Sequence, residues 1–405
     1  MRERALPLVP LLGLLVAACG GDEAPTPPVD RFGDLQIVEG APTLPTDPGV
    51  EPTALTAAGN VTAIGAAGTT LIVGTDTGTS QLIDGELTEL EVWSDDPEAP
   101  TSSGAVELVT RDGATLVVLA SEGLFHSFGD KLVPSPATAD VLALEPLAMH
   151  ADGDALWLCT PTGLARLQDG ELSWLTIEGE DGPPAAVHHA ATGLLYVAFG
   201  DRLYEIEDDS AFAVPFELGA VHAISAGSAD AIYVASDRGL FERAVDGQWT
   251  RYTLTDDDAG APATALSFYP KDGAFVSVPG GVALATPDAG VTGVVSSAFP
   301  QMIADDVGQL WLAGGSDVTG LAVGTPIGFE DDVAPILTTY CSSCHADGTE
   351  NAPLQDFADY DNVVVLAQTV VSRIQAGQMP PAGSDPLPGD AVDLINRWYL
   401  SGQNP

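Results

Sequence analysis

Between about residue 56 and residue 325 the chain repeats one hydrophobic pattern seven times. The copies are Leu71-Ile72-Val73-Gly74-Thr75, Leu116-Val117-Val118-Leu119-Ala120, Leu156-Trp157-Leu158-Cys159-Thr160 and Leu195-Tyr196-Val197-Ala198-Phe199. Ile232-Tyr233-Val234-Ala235-Ser236, Ala274-Phe275-Val276-Ser277-Val278 and Leu310-Trp311-Leu312-Ala313-Gly314 follow, the starts being 45, 40, 39, 37, 42 and 36 residues apart. The second position is always large or β-branched and the fourth mostly small. Short apolar runs bounded by turn residues read as buried strands. Several follow another strand by about seven residues, as with Val61-Thr62-Ala63-Ile64 or His222-Ala223-Ile224. Most lead into a Gly-Leu turn (Gly123-Leu124, Gly163-Leu164, Gly239-Leu240) that opens a further hairpin strand. A period near 40 with no long helical pattern predicts an all-β propeller of about seven blades over 56–325.

The seventh repeat leaves little chain for an outer strand, so Leu35-Gln36-Ile37-Val38 is the candidate for closing that blade. Cys159 sits at a small, inward position, where a free cysteine behaves as a small apolar residue. His126, His150, His188, His189 and His222 fall at different positions counted within their repeats. His188-His189 precedes a strand and reads as a surface turn, with metal binding as the alternative. Aspartates in the turns (Asp152, Asp154, Asp256 to Asp258, Asp305, Asp306) suit hairpin caps. Calcium is the other reading, although no EF-hand spacing is present.

At Thr325-Pro326 the spacing turns helical. Phe329, Val333, Ile336, Leu337 and Tyr340 share one helix face, and Asp331 and Asp332 lie in its first turn, where the helix dipole favours them. The helix runs into Cys341-Ser342-Ser343-Cys344-His345, the spacing of c-type haem attachment: two thiols for thioethers to the haem vinyls and an imidazole for the iron. A redox dithiol would need a βαβ setting, and a zinc site would need more Cys or His. Residues 326–405 contain neither Lys nor a second His, and their single methionine is Met379, in Gly377-Gln378-Met379-Pro380-Pro381. Met379 is therefore the candidate sixth ligand, and the alternative is a core methionine beneath five-coordinate iron. A last helix is expected over about 389–401, with Val392, Ile395, Trp398 and Tyr399 inward.

Arg2 and Arg4 precede an apolar run from Leu6 to Ala18, too short to span a bilayer, which ends Leu15-Val16-Ala17-Ala18-Cys19. Residues 19–55, rich in Pro and acids, read as a tether. Hydrophobic residues make up 45 %, enough for a packed core, so wholesale disorder is excluded. Against 58 acidic residues stand 13 basic ones, a formal charge of −45 that excludes nucleic acid as a partner. Such a charge would steer basic partners in a salt-dependent way; solubility or adaptation to saline surroundings is the equal alternative.

Three stretches carry resemblances. Leu15 to Cys19 resembles the lipobox of bacterial lipoproteins, which implies removal of residues 1–18, acylation of Cys19 and anchoring to the bilayer. Gly20, where an Asp would signal inner-membrane retention in that family, points toward the outer membrane of the cell envelope. The copy from Asp152 to Arg166 resembles the propeller repeats in the sensor regions of two-component regulators. Residues 326–405 resemble a small class I cytochrome c domain, which implies one covalent haem c on Cys341 and Cys344 with His345 and Met379 as axial ligands.

The expectation is a membrane-anchored c-type cytochrome engaged in outer-sphere electron transfer with envelope redox proteins. In it the propeller is a binding or sensing platform for an unknown ligand, not a catalyst. That preference rests on the lack of any evident convergence of His, Arg and acidic residues, with eight Lys or Arg between 56 and 325. The alternative is a propeller-based dehydrogenase passing electrons to its own cytochrome domain.

Overall fold

A computed structural model describes residues 31–400 apart from 46–51, 97–98, 114, 154, 191, 208–209, 227–230, 257–258, 270–272, 287–289, 307, 324–326, 346–356, 358, 376–377 and 382–386. Cys19 and the segment expected as a signal peptide lie outside the described residues. The described strands form seven sheets, and a small, mostly helical region follows them. Each expected repeat is the second strand of its sheet: Thr70–Thr75, Thr115–Ala120, Ala155–Thr160, Leu195–Phe199, Ile232–Ser236, Ala274–Val278 and Gln309–Gly314. These sheets are called blades one to seven in that order. The first strand of each blade packs against those of its two neighbours, so the seven innermost strands close a ring.

Alternation along the repeated strand explains the pattern. Each of the seven gaps between blades holds its own hydrophobic cluster, and successive residues of one strand enter opposite gaps. In blade one Ile72 faces the gap with blade two, and Val73 faces the gap with blade seven. Both faces being buried, the strand is apolar throughout instead of alternating. Cys159 is fully buried in the gap between blades three and four, where burial pushes its thiol up to about 12.

Blade seven closes differently from expectation. Thr53–Thr56 is its outer strand, antiparallel to Asp317–Ala322, with Thr53 opposite Gly320 and Thr56 opposite Asp317. Gln36–Val38 does form a strand, but it runs parallel to Trp249–Tyr252 as a fifth strand on blade five. Phe32 explains the difference: buried in the cluster between blades four and five, it anchors the arm there. The arm continues past Gly40, whose N–H donates to the Thr255 carbonyl (2.9 Å). It reaches blade six at Gly293, where an added Cβ would lie 2.2 Å from the Thr43 carbonyl oxygen. Residues 31–45, expected as part of a tether, are thus bound to the outside of the propeller.

In the C-terminal region a wide π-helical turn, Phe329–Val333, leads into helices Ala334–Tyr340 and Ser342–His345; helices Tyr360–Gln375 and Gly389–Leu400 follow. Phe329, Val333 and Leu337 are buried, as expected for one helix face. Phe329 packs on Trp398 of the last helix, ring centroids 5.6 Å apart, and Val392, Ile395 and Tyr399 join the same core. The 16-residue helix Tyr360–Gln375 was not expected, although Val363, Ala367, Val370, Val371 and Ile374 repeat the spacing of the first helix.

Candidate functional site

The histidines left aside as a turn and scattered strand residues converge. His150 lies on the innermost strand of blade three, Ala148–Asp152, and His188 and His189 on that of blade four, Ala186–His189. His150 is opposite Trp157, and His188 is opposite Tyr196, each the large second residue of its repeat. The two histidines therefore occupy equivalent places on adjacent strands, with ring centroids 4.3 Å apart. Residue counts hide this because the hairpin between strands is two residues in blade three and five in blade four. His188-His189 is strand, not surface turn, and His188 is buried.

Burial sets the protonation of the pair. Desolvation lowers His150 to about 4 against the opposing pull of the His189 carbonyl and Asp152; His150 Nε2 lies 3.2 Å from that carbonyl oxygen. Desolvation, with His150 and His189 as neighbours, holds His188 well below the ordinary histidine value. Two neutral rings pack without charge repulsion at neutral pH. His189 is placed otherwise. Its Nδ1 meets the Asp152 carboxylate, and both side chains are partly open to solvent.

A stack supports His189 from behind. The Trp157 ring lies 6.3 Å from the His189 ring, inclined 19°, and the Arg166 guanidinium carbon is 5.1 Å from the Trp157 centroid. Arg166 and Trp157 are cross-strand partners, so the hairpin itself sets this cation–π contact, worth ~0.5–2 kcal/mol. Trp157 Nε1 and Arg166 Nε are buried without a hydrogen-bond partner among the described residues.

At the same end of the innermost strands, polar contacts link blades. Arg111 of blade two reaches Asp306, in the turn between the first two strands of blade seven, at 2.6 Å, and Asp306 accepts from the Gly68 N–H of blade one at 2.7 Å. Asp112 accepts from the Gly153 N–H of blade three at 2.9 Å. Asp305 caps its hairpin through Gln309 N–H (2.9 Å) and accepts from Trp311 Nε1 (3.2 Å), the capping role expected of turn aspartates. Elsewhere Glu205 of blade four, fully buried, pairs with Arg243 of blade five.

The C-terminal candidates gather about one core. Cys341 is half-buried against it, its thiol pushed up to about 11 by burial and by Cys344, and Cys344 is exposed. The His345 ring stacks on Phe357 of that core, centroids 4.5 Å apart, with its Nδ1 buried and unpartnered among the described residues. Met379 packs on the same core. Two thiols one helical turn apart, a histidine with an unused buried nitrogen and a half-buried thioether fit a covalent haem chemically.

Comparison of the sequence with known protein families gives no match, and comparison with curated proteins gives none. Solved structures share the fold. A catalytically inactive histidine-to-alanine variant of virginiamycin B lyase from Staphylococcus aureus, with quinupristin, matches with a TM-score of 0.52 at 12 % identity, over 67 % of this chain and 98 % of that one. A streptogramin B lyase matches with a TM-score of 0.52 at 14 % identity, over 67 % of this chain and 96 % of that one. The extracellular domain of a hybrid two-component system from B. thetaiotaomicron matches with a TM-score of 0.50 at 13 % identity, over 66 % of this chain and 40 % of that one. Each likeness is one of fold. Among the described residues no helix is long and apolar enough to cross a membrane.

These findings correct the expectation of an electron carrier with a passive, non-catalytic propeller. It rested on a lack of converging His, Arg and acidic groups, yet blades three and four bring together His150, His188, His189, Asp152 and Arg166. The propellers matched at a TM-score of 0.52 are lyases, enzymes on the same scaffold. Among the described residues no group of three or more His, Cys, Asp or Glu is placed to hold a metal ion. The labels cytochrome c, electron transfer, haem, iron and metal-binding are therefore not supported, and what the comparisons support for the larger domain is the β-propeller fold.

Proposed function

We propose that the propeller is the catalytic half of a dehydrogenase acting on a small hydroxyl-bearing substrate, with a haem c in its own C-terminal region as electron acceptor. The observation that carries the reading is the pairing of His189 Nδ1 with Asp152 on adjacent innermost strands. The carboxylate beside Nδ1 favours the tautomer with the proton there, and Nε2 would then take the substrate hydroxyl proton. His150 and His188, kept neutral by burial, flank the base without competing for that proton.

In this reading Cys341 and Cys344 would hold the haem through thioethers, and His345 and Met379 would hold its iron. The haem, when attached, supplies a one-electron acceptor. Oxidation of an alcohol to a carbonyl releases two electrons and two protons: the hydroxyl proton would pass to His189 and the carbon-bound proton to solvent, and a one-electron acceptor would pass the electrons singly to an envelope partner. The formal charge of −45 favours a basic partner. Export, which c-type haem attachment requires in the family that residues 326–405 resemble, and acylation of Cys19 belong to the same proposal.

The test uses the full chain expressed in a host that attaches c-type haem outside the cytoplasm. Offered a panel of alcohols, sugars and aldehydes without oxygen, it should reduce its own haem with at least one of them. His189→Gln should slow that step by about 10²–10⁴-fold, the usual contribution of a general base. Slow reduction with no substrate dependence, or an unchanged rate in His189→Gln, overturns the reading.

A further inference from the structure

Between blades two and three lies a cavity of about 190 Å³ that the site on blades three and four does not use. Its walls are Val117 and Leu124 of blade two and Leu156 and Leu167 of blade three. Two carboxylates line it as well: Asp112 at the end of an innermost strand, and Asp169 in an exposed hairpin turn. His126, half-buried, and Ser135 line it too; burial lowers His126 below its ordinary value against the opposing pull of Asp112, so at neutral pH it is uncharged. Neither Lys nor Arg lines the cavity. Asp112 Oδ1 accepts from the Gly153 N–H, and Oδ2 has no hydrogen bond among the described residues.

Size and charge together select the ligand. At about 190 Å³ this partly open slot has room for a body of about six carbons. Two carboxylates with no cation beside them repel an anion and leave a neutral head group without a partner for their charge. A cationic head satisfies both. We propose that this slot binds a small primary alkylammonium ion, its tail between blades two and three and its ammonium group between Asp112 and Asp169. The proposal does not rest on the dehydrogenase reading, because it concerns other residues and needs no turnover.

Calorimetric titration of the full chain at pH 7 with hexylammonium, 1-hexanol and hexanoate tests it. Hexylammonium should bind one equivalent saturably, hexanol more weakly and hexanoate not at all, while methylammonium, which lacks the tail, should fail to compete. Asp169→Asn keeps a residue tolerant of the left-handed backbone there (φ 52°) and should weaken hexylammonium by about threefold or more. Ala151→Leu, filling the slot, should remove binding; if that variant does not fold, Asp169→Asn decides alone. Equal binding of hexanol and hexylammonium overturns the proposal. So does an unchanged affinity in Asp169→Asn, or an equal loss in Glu86→Gln, a remote exposed acid whose loss would report only the general charge.

Discussion

The propeller and the C-terminal helical region organise chemistry in opposite ways. In the helical region three of the four chemical residues, Cys341, Cys344 and His345, lie within five positions of one another, and one turn of chain brings them together. In the propeller His150 and His189 are 39 residues apart, and only the packing of neighbouring blades makes His150 and His188 touch. Local chemistry survives loss of distant packing, whereas chemistry spread over blades depends on every strand that sets their register. The two regions should therefore fail separately and for different reasons.

The sharpest separation comes from the thiols. Cys341→Ser with Cys344→Ser should abolish covalent haem, read as loss of the haem-stained band on a denaturing gel, and leave the thermal transition of the propeller unchanged. A residual band would show that the local motif is not what attaches the cofactor.

Next is Trp398→Ala. Trp398 is almost fully buried against Phe329, and truncation of a buried aromatic costs about 3–5 kcal/mol. The C-terminal helices should melt early, as a loss of helical circular dichroism, while the strand signal persists. One shared transition for both signals would mean that the regions do not fail separately.

Acid should act on the propeller. Unfolded, a histidine titrates near 6.5; folded, His150 titrates at about 4. Between those values the unfolded chain binds more protons, so stability falls as pH drops from 6.5 toward 4, by about 3 kcal/mol from His150 alone. His188, lowered in the same direction, adds to the loss. Urea unfolding at pH 7.5 and pH 5 should show a smaller difference in His150→Gln than in the unaltered chain. Comparison with the variant also removes the effect of the many carboxylates that titrate over the same range.

The smallest effect is expected at the arm. Gly293→Ala would force its Cβ against the Thr43 carbonyl, and overpacking of this kind costs about 1–3 kcal/mol. Faster proteolysis within residues 31–45, with the seven blades intact, is the expected outcome. An unchanged rate would mean that blade six does not hold the arm.

Much of this fold was legible because both surfaces of the repeated strand are buried, which leaves an apolar run at each recurrence. The helix Tyr360–Gln375 was equally legible, its buried residues repeating the spacing of Phe329 to Tyr340, although it carries none of the candidate ligands. The arm was half legible. Gln36–Val38 has the composition of a strand, and nothing local says which blade receives it; buried Phe32 decides that. The histidine cluster was hidden by one residue of register, since hairpins of two and five residues put equivalent side chains at unequal counts from their repeats.

By itself the sequence determined the number of blades, the start of the helical region and the Cys341-to-His345 motif. Each is written in contacts or spacings a few residues long. Tertiary structure alone decided that Thr53–Thr56 closes blade seven, that the arm lies on blades five and six, and that His150, His188, His189 and Asp152 form one site. Those are pairings between residues up to 267 positions apart, as between Thr53 and Gly320. Their partners are chosen by register and by which gap has room, quantities that exist only once the ring of blades has closed.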